Sequence, residues 1–164
     1  MNSAEILGIK IDRITIEDTI DLFENSIRGN DKTIIANHNL HSSYLYKYDA
    51  EFRKFYSRAS FVHADGMILI YLAKLFGYSF SFQHRITYID WLPHILKFTE
   101  KNNHKLFYLG GEKEVVEKAS EKISRNYKDL NLAVHHGFFD KQYDSEENIL
   151  VKKKINQFSP NILM

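Results

Sequence analysis

Hydrophobic positions along the 164-residue chain recur in two alternating rhythms. Short apolar runs that read as strands are each followed by longer segments with a helical period. Ile6 to Ile11 reads as a first strand. In the segment TIEDTIDLFENSIRGN, Thr15 and Asp18 have capping-box spacing, Ile16, Ile20, Phe23 and Ile27 share one helical face, and Gly29-Asn30 closes the helix. KTIIAN is a second strand, and SSYLYKYDAEFRKFYSRA is one helix or a broken pair. SFVHA is a third strand, leading into the run Met67 to Phe76, which is apolar almost all round and predicts a buried central helix. A polar, aromatic connection precedes a helix near Ile89 to Asn102. KLFYLGG is a strand ending in two glycines, and EKEVVEKASEKISRNY is a legible amphipathic helix. LNLAVHHG is another strand, Glu146 to Phe158 another helix, and NILM the beginning of a further strand.

This order predicts an α/β fold: a mostly parallel, Rossmann-like sheet with helices on both faces, in a single domain over residues 1–164. The chain stops where an α/β sheet would insert a central strand, so the sequence reads as cut short. Composition narrows the function. A hydrophobic fraction of 44% fits a folded protein with a real core. Lys and Arg number 22 against 21 Asp and Glu, which argues against nucleic-acid binding by bulk electrostatics. The absence of cysteine excludes disulfides, thiol catalysis and Cys-based zinc sites. No signal peptide is evident, and the longest apolar run is far short of the roughly 20 residues of a membrane span. A soluble, cytoplasmic protein is expected.

In open α/β sheets ligands bind beyond the carboxyl ends of the strands, near helix N-termini. Four turns carry suitable residues: ANHNLHS, HADGM, YLGGE and VHHGFF. On one edge of one sheet they would make a site. Asp65 reads equally as a helix N-cap, with Gly66 easing the turn, or as a carboxylate facing a ligand; the two are compatible. Asn37 and Asn39 fit turn chemistry, Asn39 capping the next helix, or paired hydrogen bonds to sugar hydroxyls. Gly110-Gly111 lacks the full G-x-G-x-x-G pattern, so a dinucleotide-binding dehydrogenase is not supported. The eight histidines show no H-x-x-x-H spacing and there is no D-x-D, so no metal site is expected.

Taken in order, ILGIKID, NHNLHS, ADGM, HRIT, LFYLGG and HHGFF resemble the WecG/TagA/CpsF family of bacterial glycosyltransferases, over nearly the whole chain. The resemblance implies inverting transfer of an N-acetylmannosamine-type sugar from a UDP-sugar to a lipid-linked N-acetylglucosamine diphosphate, in cell-envelope polysaccharide synthesis. It implies no cofactor and no required metal, and a place at the inner face of the cytoplasmic membrane. Asp65 falls on the family's proposed general base, and Asn39 joins it as a catalytic residue. Asn37, Gly66, Arg85, Gly110, Gly111 and Gly137 fall on substrate-binding positions. Asn37 replaces a hydroxyl-bearing residue, and Tyr88 stands where the family carries glycine. The family's V-G-L-G-x-P-x-Q-E motif and its C-terminal tail are absent before Met164. A non-catalytic nucleotide- or sugar-binding relative is the alternative reading, and a homo-oligomer is compatible with either.

Overall fold

The computed structural model describes residues 3–164, which form two compact units that divide between His94 and Ile95. Seven strands and seven α-helices alternate through them in an α/β arrangement, and among the described residues only the first pairing of strands is antiparallel.

The first unit opens with a hairpin of β1 (Ser3–Ile6) and β2 (Ile9–Asp12). The sequence pattern predicts one strand across Ile6 to Ile11; the structure splits it. Leu7 and Gly8 both take positive φ (53° and 80°), the requirement of a tight two-residue hairpin turn. Alternation then sends Ala4, Ile6, Ile9 and Ile11 into the core. Helix α1 (Ile16–Gly29) starts at Thr15 with the expected capping box to Asp18 and ends on Asn30 in the left-handed region, φ 56°.

Strand β3 (Ile35–His38) pairs in parallel with β4 (Phe61–Ala64), Asn37 opposite His63 and His38 opposite Ala64. Between them the broken-pair alternative holds: α2 (Leu40–Tyr48) and α3 (Ala50–Tyr56) part at Asp49, whose side chain caps α3. After β4 come α4 (Met67–Leu75), a 3-10 turn (Phe82–His84) and α5 (Tyr88–Lys101). Only one side of α4 is buried. Leu69, Ile70 and Ala73 join Ala4, Ile6, Ile9, Ile11, Ala64 and Phe80 in a single cluster, while Ile68, Tyr71, Leu75 and Phe76 are exposed. The expectation of a buried central helix is therefore corrected. An all-round apolar helix is buried all round only if the fold supplies neighbours on every side, and here the described residues supply one.

A buried carboxylate ties the hairpin to β4. Asp12 Oδ2 accepts the Val62 backbone N–H at 2.9 Å, and its other oxygen meets exposed Lys10 at 3.2 Å. A side chain thus satisfies a buried donor that would otherwise need a strand beside it. Further along, Trp91 Nε1 donates to Thr19 Oγ1 at 2.8 Å, and the indole stacks on Phe23 at 5.7 Å.

The second unit holds a three-stranded parallel sheet ordered β6-β5-β7: β5 (Lys105–Leu109) lies between β6 (Asn131–His135) and β7 (Ile162–Leu163). Helix α6 (Lys113–Asn126) buries Val116, and α7 (Glu146–Phe158), capped by Ser145, buries Val151. NILM does form the further strand, pairing Ile162 with Leu106.

The Asp12 contact yields a stability prediction. Asp12→Ala leaves the Val62 N–H buried without a partner, so it should cost about 1–3 kcal/mol in urea unfolding. Asp12→Asn retains an acceptor and should lose less, and Lys10→Ala, which removes an exposed ammonium, less than about 1 kcal/mol. Equal stability of Asp12→Ala and the native chain would remove Asp12 from the framework.

Candidate functional site

In the first unit, three turns meet around one peptide group, the one joining Ala64 to Asp65. Its N–H, that of Asp65, donates to His38 O at 2.7 Å, so the β3–β4 pairing runs one residue beyond the strands. Its C=O, that of Ala64, accepts the Ile86 N–H at 2.9 Å, where the chain leaving the 3-10 turn bridges to β4 at Arg85. Asp65 is thereby held between the Asn37–Asn39 turn on one side and Arg85 on the other.

The Asp65 carboxylate is partly buried and accepts a hydrogen bond at Oδ2 from Asn37 Nδ2 at 3.3 Å. Burial pushes its pKa above the ordinary carboxylate value, and the positive charge of Arg85 opposes that rise. The N-cap reading of Asp65 is corrected. Gly66 occupies the cap of α4, with φ 103° and ψ 148°, and no side chain caps the helix. Glycine is needed there for the backbone angle and not for space, since a Cβ at Gly66 would meet nothing within 4 Å. The helix start therefore keeps backbone N–H donors that no side chain satisfies, next to a carboxylate that is not spent on them.

Asn39, by contrast, is a cap. Its Oδ1 accepts the Ser42 N–H at 2.8 Å, and the Ser42 hydroxyl accepts the Asn39 N–H at 2.8 Å. The cap engages the Asn39 Oδ1 and leaves the Nδ2 group for a ligand. Behind this turn, His38 is buried, stacked on Tyr56 at 4.0 Å, with Nδ1 3.0 Å from Ser42 Oγ. The Tyr56 hydroxyl donates to Asn37 O, anchoring the backbone of the residue that touches Asp65. Burial drives both His38 and His63 down to a pKa of about 4, so neither ring carries charge near neutral pH.

Arg85 does not stand free. Its Nη2 pairs with Asp90 Oδ2 at 2.7 Å, Thr87 Oγ1 donates to the same oxygen at 2.7 Å, and the guanidinium lies 4.9 Å from the Phe82 ring centre. Arg85 Nε is buried without a partner. Asp90 escaped the sequence reading although Thr87-x-x-Asp90 carries the same signature as Thr15-x-x-Asp18. The buried histidines escaped it because their neighbours come from other segments of the chain.

Gly110, Gly111 and Gly137 lie in the second unit. Gly110 N donates to His135 O at 3.0 Å and Gly137 N to Gly111 O at 2.9 Å. A Cβ on Gly137 would sit 3.0 Å from the Gly110 Cα, and Gly111 has φ 71°. The two turns after β5 and β6 thus pack backbone on backbone, beside the start of α6, which no side chain caps. The four predicted turns fall as two pairs, one pair on each of two sheets. Among the described residues no three His, Asp or Glu side chains gather as a metal-binding group.

Paired parallel strands with turns at their ends, a held carboxylate in the first unit and helices α4 and α6 that no side chain caps define the class as α/β. The chain belongs to the glycosyl transferase WecG/TagA/CpsF family, whose model matches residues 4–164. It is similar to the N-acetylglucosaminyldiphosphoundecaprenol N-acetyl-beta-D-mannosaminyltransferase of Staphylococcus aureus (strain NCTC 8325 / PS 47), 28% identical over 97% of this chain and 61% of the relative. The protein of the same description in strain MRSA252 is 27% identical over the same shares. The chain therefore spans about three-fifths of the length of these relatives.

The opposed influences on Asp65 can be measured. Its carboxyl carbon, followed by NMR through a pH titration, should titrate above an ordinary aspartate, and Arg85→Gln should move the midpoint higher still. A raised folded-state pKa contributes stability that is present below the unfolded value and lost as pH rises through the folded one. At neutral pH, Asp65→Asn should therefore melt no lower than the native chain. A midpoint at or below the ordinary value would contradict this account of the site.

Proposed function

We propose that this chain carries the acceptor-activating part of an inverting glycosyltransferase that moves an N-acetylmannosamine-type sugar from a UDP-sugar to a lipid-linked N-acetylglucosamine diphosphate. The observation that carries the proposal is Asp65: a carboxylate of raised pKa, oriented by Asn37, fixed through its own peptide, and kept out of the helix cap. The mannosaminyltransferases that it resembles support the choice of acceptor.

In the proposed reaction the acceptor's hydroxyl oxygen attacks the anomeric carbon of the donor sugar. The bond from that carbon to the UDP oxygen breaks, and its electron pair leaves with UDP. Asp65 takes the proton from the attacking hydroxyl. A raised pKa suits this, because a base works best when its pKa lies near the operating pH. Asn37 holds Oδ2, which leaves Oδ1 for the proton. The uncapped N–H donors at the start of α4 suit a phosphate or a developing negative charge. Arg85 offers guanidinium donors to a diphosphate, exchanging or sharing its bond to Asp90. Asn39 contributes through Nδ2. In the second unit, Gly110, Gly111 and Gly137 keep side chains away from the α6 start and suit close approach of the nucleotide. No cofactor and no metal are invoked, and the protein would work as a peripheral enzyme at the inner membrane face. No described helix is long and apolar enough to cross a membrane.

The deciding measurement is turnover of Asp65→Asn beside its melting temperature, with UDP-N-acetylmannosamine and a lipid-linked N-acetylglucosamine diphosphate, in the protein that contains this chain. The rate should fall by roughly 10²–10⁴ while the fold is kept. A variant as fast as the native protein would leave the reaction without a base and favour a non-catalytic, sugar- or nucleotide-binding relative. Turnover should also survive excess EDTA. Loss restored by manganese or magnesium would overturn the metal-free mechanism.

A further inference from the structure

Arg85 acts on two carboxylates and is bonded to one of them. Its charge reaches Asp65, one residue beyond the point where Arg85 bridges to β4, yet its Nη2 pairs with Asp90 Oδ2 at 2.7 Å. The side chain is only 24% exposed, and a cation so far withdrawn from water needs a fixed partner. The arginine's own hydrogen bonding does not explain its place. Among the described residues Arg85 Nε is buried without an acceptor, a cost that a freely settling guanidinium would avoid. Its position is imposed by Asp90, with the Phe82 ring centre 4.9 Å from Cζ.

Asp90 is held in turn. Thr87 Oγ1 donates to Oδ2 at 2.7 Å, and the Asp90 N–H donates to Thr87 Oγ1 at 3.4 Å, in the first turn of α5. The Thr15–Asp18 box at α1 is the comparison within the same chain. There the two donors to Asp18 Oδ2 are the Thr15 hydroxyl and the Thr15 N–H, so that oxygen serves its own helix. At Asp90 Oδ2 the second donor is Arg85. One local device thus caps a helix in the first case and grips a side chain of the site in the second.

We propose that Asp90 is a positioning residue that keeps Arg85 from closing on Asp65, so that the guanidinium stays beside the base without being bonded to it. The role rests on the reading of Asp65 as the base. Without Asp90, a largely buried guanidinium would turn to the other carboxylate its charge already reaches. A direct ion pair there would favour the ionised Asp65 and make it a poor proton acceptor. Arg85 is the charged group that opposes the rise at Asp65, and Asp90 acts through it. On the surrounding elements burial holds His38, His63 and His84 below the ordinary histidine value and Tyr56 above the tyrosine value, so these four add no charge near neutral pH.

The test follows the Asp65 carboxyl carbon by NMR through a pH titration of the chain, in a cycle of Asp90→Asn, Arg85→Gln and both together. Asp90→Asn should move the Asp65 midpoint below its native position, because the released guanidinium joins the carboxylate. In the Arg85→Gln background the same change should leave the midpoint nearly where it was. An unmoved midpoint in folded Asp90→Asn, or a fall just as large without Arg85, overturns the proposal. The native chain gives a second reading that needs no variant. Its Arg85 Nε–H should exchange with water at least about tenfold more slowly than that of exposed Arg28. Equal rates would mean a guanidinium that nothing holds, and would overturn the proposal as well. The transferase reading fails separately. In the protein that contains this chain, a base at Asp65 requires Asp90→Asn to shift the acidic limb of the rate profile to lower pH. A limb that stays in place while the NMR cycle behaves as described removes Asp65 as the base and leaves the positioning of Arg85 standing.

Discussion

The peptide between Ala64 and Asp65 is the constraint on which the first unit's site depends. Because a peptide is planar and trans, its N–H and C=O point to opposite sides. Here one side is bonded to β3 and the other to the segment after the 3-10 turn. Two bonds on one rigid plane leave little freedom on the N-terminal side of Asp65. Beyond the aspartate, Gly66 turns the chain sharply into α4. The main chain of Asp65 is thus fixed by backbone bonds, and the only side-chain hydrogen bond given to its carboxylate by the described residues is that from Asn37.

Electrostatics around that carboxylate are simple because the nearby histidines are neutral. Four segments bring His38 and His63 into contact with Tyr56, Trp91 and apolar neighbours, and burial holds both at a pKa of about 4. Had either ring been protonated near neutral pH, it would have added a positive charge beside Asp65 and pulled its pKa back down. The opposing charge comes from Arg85, itself tempered by Asp90.

What the sequence made legible was whatever is local. The Thr15 capping box, the Asn39 cap and the bounds of α7 follow from residues three or four apart, and the structure has them as read. The hairpin at Leu7-Gly8 was hidden because both arms are apolar on alternate residues, so a two-residue turn with leucine at a positive φ looks like one continuous strand. The exposure of Ile68, Tyr71, Leu75 and Phe76 was not legible at all, since an all-round apolar pattern records affinity for a partner and not whether one is present. The Asp65-Gly66 pair was visible as a strand-to-helix turn. Which of its two residues caps the helix depends on backbone angles that the sequence leaves open.

That last choice sets the chemistry. Were Asp65 the cap, its oxygens would accept the first N–H groups of α4, and hydrogen bonds to the charged form would lower its pKa. It would then be a weaker base, and the helix start would be satisfied. Moving the cap one residue on, to a glycine with no side chain to offer, separates the two functions. The carboxylate keeps the raised pKa that burial gives it, and the helix keeps donors for an anion. One residue of offset between Asp65 and Gly66 leaves a proton acceptor and a set of anion-binding donors side by side, each available because neither is spent on the other.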